Sequence, residues 1–152
     1  MATVRSTTFV RSNDGTPNNQ HADPTTAPVF VEIYRGFNTV IPNFTVAVCS
    51  RDATGQLHVL PPKPEPNGQF PNPANPAAPA PRYDLGSANQ LPGKCVVVLA
   101  NGATPSTTPG SIAIIVRYLQ QNAAGVFRIV SEESDTSQGS LQQSRFEKDF
   151  VS

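Results

Sequence analysis

The chain has 152 residues, the length of a single domain, and eleven Lys/Arg residues balance eleven Asp/Glu for a net charge of zero. That balance argues against a nucleic-acid partner, which needs a basic face to neutralise phosphates. The longest apolar runs, 95–100 and 112–116, are too short to span a bilayer, and residues 1–19 lack the apolar centre of a secretion signal.

Alternation of β-branched and aromatic residues predicts about eight strands, over 7–11, 29–35, 44–51, 56–60, 94–100, 110–120, 125–131 and 145–151. Residues tolerant of positive φ lie between them, with hairpins expected at 51–56 and 121–125. In 44–49, Phe44, Val46 and Val48 share one face and Thr45, Ala47 and Cys49 the other. Ile112, Ile114, Val116 and Tyr118 likewise share a face. The near-continuous apolar runs in 96–99 and 112–116 point to central strands. Helix signals are weak, and 138–148 reads as a loop or short turn leading into the last strand. The expected fold is all-β: a single antiparallel β-sandwich, jelly-roll or immunoglobulin-like, with an extended N-terminal arm and a long Pro-rich loop.

Two irregular segments flank this core, which divides the chain into a strand and arm over 1–27 and a β domain over 28–152. Residues 12–28 replace the apolar pattern with Asn, Thr, Pro and Asp. The insertion 61–92 opens with a stretch that holds nine of the sixteen prolines. Such a segment has too little apolar surface to offset its own ordering entropy. At about 3.1 Å per residue in polyproline geometry it has the reach to cross a neighbouring molecule.

Candidate chemistry is sparse. Cys49 and Cys95, both in expected strands, suggest a disulfide, with two buried thiols as the alternative. A Cys–His pair has only His21 and His58 to draw on, and two His with two Cys match no zinc spacing. Glu132, Glu133 and Asp135 form the one acidic cluster, read as a solvated loop in preference to a calcium site or a carboxylate pair. No catalytic residue, metal or cofactor is assigned, and the chain is expected not to be an enzyme.

The functional expectation is a structural subunit that assembles with itself into an extracellular filament, appendage or virion surface layer. Its contacts would be Thr7, Phe9 and Arg11 of the N-terminal strand, completing a neighbour's sheet, with Phe70 and Tyr83 on the Pro-rich arm. The alternative is a lectin-like module whose glycan contact is Tyr83 beside Arg82 and Asp84.

Overall fold

A computed structural model describes residues 2–10, 21–22, 27–37, 39–60, 82–104, 109–121 and 124–151. They form ten strands: β1 (Ala2–Val10), β2 (His21–Ala22), β3 (Pro28–Gly36), β4 (Val40–Arg51), β5 (Leu57–Val59), β6 (Arg82–Ser87), β7 (Lys94–Ala103), β8 (Gly110–Gln121), β9 (Phe127–Gly139) and β10 (Leu141–Val151). A six-stranded sheet has the order β2-β1-β10-β7-β4-β5, and a four-stranded sheet the order β6-β3-β8-β9. The described residues are therefore all-β in two sheets, with a 3₁₀ turn at Ala88–Gln90.

Period-2 alternation sends one face of each sheet into a shared core. Val46, Val96, Val98 and Phe146 come from the six-stranded sheet, and Val31, Ile114, Val116 and Tyr118 from the four-stranded one. Each is under 5% exposed, so burial contributes about 1.5–3 kcal/mol for each aliphatic or Phe side chain. β7 and β8 each have neighbours on both sides, in keeping with their apolar runs.

Three expectations are corrected. The sheets are not wholly antiparallel, because β1 runs parallel to β10, from Ala2 opposite Ser144 to Phe9 opposite Val151, and parallel to β2. Residues 138–148 are not a loop, since β9 continues to Gly139 and β10 begins at Leu141. Over this hairpin the inward positions Ser137, Gln142, Ser144 and Lys148 are polar and only Phe146 is apolar, so hydrophobic alternation does not reveal it. The strand over 82–87 was not anticipated either. There Tyr83 and Leu85 enter the core while Arg82 and Asp84 face outward.

The core also takes in Ala88 and Leu91, so residues that follow the Pro-rich stretch pack as part of the β domain. Arg11, Phe70 and residues 61–81 lie outside the described residues. No helix among the described residues is long and apolar enough to cross a membrane.

Candidate functional site: a buried polar seam between the sheets

β9 is an edge of the four-stranded sheet and β10 belongs to the six-stranded one, so the Gly139–Ser140 link carries the chain from one sheet to the other. At this margin the inward face of β9 reads Ser131, Glu133, Asp135, Ser137, opposite inward Gln142, Ser144 and Lys148 of β10. β1 lies beside β10 and adds Ser6, opposite Lys148, and Thr8, opposite Phe150. Burying so many polar groups costs free energy unless they find partners.

Most of them do, through side chains. Ser137 donates to Gln142 Oε1, whose Nε2 in turn donates to Asp135 O at 3.1 Å and Ser144 Oγ at 2.8 Å. Ser144 donates to Asp135 Oδ2 at 2.6 Å. Further along, Lys148 Nζ donates to Ser131 Oγ at 2.5 Å and stands 3.8 Å from Glu133 Oε1. Ser6 Oγ donates to Glu133 Oε2 at 2.6 Å. The two sheets are thus tied along this margin by a side-chain ladder where no backbone ladder runs.

The Lys148–Glu133 pair is the deepest charged feature of the described residues, with side chains 1% and 5% exposed. At 3.8 Å it is an ion pair without a direct hydrogen bond, and Glu133 Oε1 has no hydrogen-bond partner among the described residues. Tyr118 forms one wall, its ring centroid 5.2 Å from Lys148 Nζ and packed edge-on against Phe150. Burial raises the Glu133 carboxyl above its ordinary value, against the pull of Lys148 and Ser6. Burial likewise lowers the Lys148 amine, against the pull of Glu133. Both shifts favour the neutral forms, because desolvation penalises charge.

The acidic cluster of the sequence is therefore divided by the pleat. Glu132 points outward and pairs with Arg117, while Glu133 points inward. No group of three potential metal ligands exists among the described residues. Sequence reasoning missed Ser6, Ser131 and Lys148 altogether. The available signal was the period-2 run Ser131-Glu133-Asp135-Ser137, which is a strand pattern with polar residues in the inward places.

The other expected site residues lie elsewhere. Thr7 and Phe9 pair in register with Asp149 and Val151 of the same chain. Tyr83 is 3% exposed and part of the core, so the expected aromatic contact for a glycan is enclosed between the sheets. Its outward neighbour Arg82 donates to the buried Glu32 at 2.9 Å and covers the ring of Phe127 at 3.9 Å.

Cys49 and Cys95 stand directly opposite each other on β4 and β7, both buried and both free thiols. They belong to a second apolar cluster with Val97, apart from the main core. His58 is exposed and hydrogen-bonds to Asp52 at 2.8 Å in the β4–β5 turn. A shallow recess of about 350 Å³ over Thr45, Leu99, Asn101 and Gln143 has no titratable side chain in its lining.

Comparison with protein-family models, with curated proteins and with solved structures finds no match to this chain.

Proposed function

We propose that the chain is a non-enzymatic structural subunit that assembles with copies of itself, in an extracellular filament, appendage or virion surface layer. The observation that carries this reading is the edge of β1. Residues 2–8 pair with β10 on one side, whereas among the described residues β2 covers the other side only at Phe9 and Val10. A row of unsatisfied backbone donors and acceptors is a template for another strand.

This reading changes the expected mechanism. β1 is already part of its own sheet, so the contact is edge against edge and not donation of β1 into a neighbour. Low charge supports the same reading, since few like charges oppose close approach of copies. We read the two-sheet architecture as a sandwich, in which an open edge is the natural place for growth. Where the β1 edge of one copy meets a different edge of the next, the contact is heterologous and gives a ring where the rotation closes and a filament where it does not.

The carbohydrate-binding alternative would have to use Arg82 and Asp84 without Tyr83. It is the weaker reading for that reason.

Light scattering and electron microscopy across a concentration series, with hydrogen exchange on the same samples, test the proposal. Regular assemblies in which the outward amides of residues 2–8, those not bonded to β10, become protected are expected. A monomer at every concentration would sink the reading, and assemblies that leave those amides exchanging freely would remove β1 as the contact.

A further inference from the structure

We propose that Lys148 and Glu133 are the two halves of an internal amide cross-link, in which Lys148 Nζ bonds to Glu133 Cδ and ties β10 of one sheet to β9 of the other. The inference concerns the subunit itself and does not depend on its assembly.

Geometry comes first. The amine and carboxyl are held by strands of different sheets, with Nζ 3.8 Å from Oε1. Both side chains are almost fully enclosed. Holding two reacting groups in contact replaces a bimolecular encounter by an intramolecular one, worth an effective concentration of about 10⁵–10⁸ M when alignment is good. Ser131 Oγ accepts a hydrogen bond from Nζ and so fixes the position of the amine. Ser6 Oγ holds Oε2, leaving Oε1 as the oxygen without a hydrogen-bond partner among the described residues.

The reaction balances without an external reagent. The neutral amine attacks Cδ of the neutral carboxyl group, the new C–N bond forms, and charge collects on Oε2, where the Ser6 hydroxyl can stabilise it. The Cδ–Oε1 bond then breaks. Oε1 leaves as water, carrying the carboxyl proton and one proton from Nζ, and Oε2 becomes the amide oxygen. No oxidation or reduction takes place.

Burial supplies the direction. In water an amide hydrolyses because its products ionise, and the charged pair is well solvated. Inside this seam the ion pair keeps its desolvation penalty without a direct hydrogen bond to repay it. Burial pushes both groups towards the neutral forms the reaction needs. An amide removes both charges, retains a carbonyl for Ser6 and keeps an N–H for Ser131.

The test is mass spectrometry of the folded, full-length chain, both intact and after proteolysis. The expected result is loss of one water relative to the sequence and a branched peptide joining the Glu133 and Lys148 segments. The branched peptide should be absent from Lys148→Met and from Glu133→Ala, and absent from wild-type chain held unfolded in denaturant from synthesis onward. Full sequence mass in folded wild-type protein, with only linear peptides covering both residues, would overturn the proposal. That measurement needs no variant to fold.

Discussion

Ser6 and Glu133, 127 positions apart in sequence, are joined by a 2.6 Å hydrogen bond that ties the first strand of the chain to the ninth. Ser6 is on β1, which belongs to the six-stranded sheet, and Glu133 is on β9 at the edge of the other. Removing the hydroxyl leaves a buried carboxyl oxygen without its donor. Ser6→Ala should therefore destabilise the fold by about 1–3 kcal/mol. Urea unfolding with an unchanged slope is the measurement, and a midpoint equal to wild type would show that the bond contributes nothing.

Gly36 fits where no larger residue can. It lies directly opposite Ala113 on β8, and a Cβ built on it would come 2.8 Å from the Ala113 Cβ. Gly36→Ala should cost about 1–3 kcal/mol through overpacking. Pairing it with Ala113→Gly should recover most of that loss, because the second change removes the atom that is met. Thermal unfolding of the two single variants and the double variant gives the coupling.

The two cysteines should be inert in the native protein. Burial raises the Cys49 thiol, and burial followed by the nearby Asp149 charge pushes Cys95 up to about 12. The thiolate is the reactive form, so almost none is present at neutral pH. A colorimetric thiol reagent should find no fast-reacting group in folded protein and two after denaturation. Zero thiols after denaturation would mean that the pair is bonded.

The β4–β5 turn is set by one carboxylate. Asp52 Oδ1 accepts from the Thr54 hydroxyl at 2.6 Å and from the amides of Thr54 and Gln56, and Oδ2 meets His58. These bonds, Thr54's hydroxyl first and His58 next, lower the Asp52 carboxyl from 3.8 to about 2. A depressed folded value means the unfolded chain takes up the proton more readily. The turn's contribution is thus present above pH 3.8 and is lost as pH falls through about 2. An NMR titration should show this low midpoint, and Thr54→Val should move it upward. A midpoint of 3.8 in the wild type would refute the arrangement.

The strands that alternate apolar and polar residues could be recognised in the sequence because solvent and core sort side chains at period two. The faces assigned to Phe44, Val46 and Val48, and to Ile112 through Tyr118, belong to this class, and the central places of β7 and β8 were legible from runs that are apolar on both faces. The alternation failed wherever the inward residue is polar. Glu133, Ser144 and Lys148 look like surface residues one at a time, since nothing local distinguishes a solvated lysine from one whose partner is fifteen positions away. Tyr83 was misjudged for the opposite reason, because the prolines before it hid a short strand whose alternate residues enter the core.

The sequence by itself determined an all-β chain, the turns that punctuate it and most of the residues that fill its centre, because those follow from local side-chain chemistry and the two-residue pleat. Only the tertiary structure decided that the first strand runs parallel to the last, that Cys49 faces Cys95, and that Ser6, Glu133 and Lys148 share one buried seam. Those relationships come from strand order and register between distant segments. They are settled by how two whole sheets close over a common core, a balance to which no short stretch of sequence holds the key.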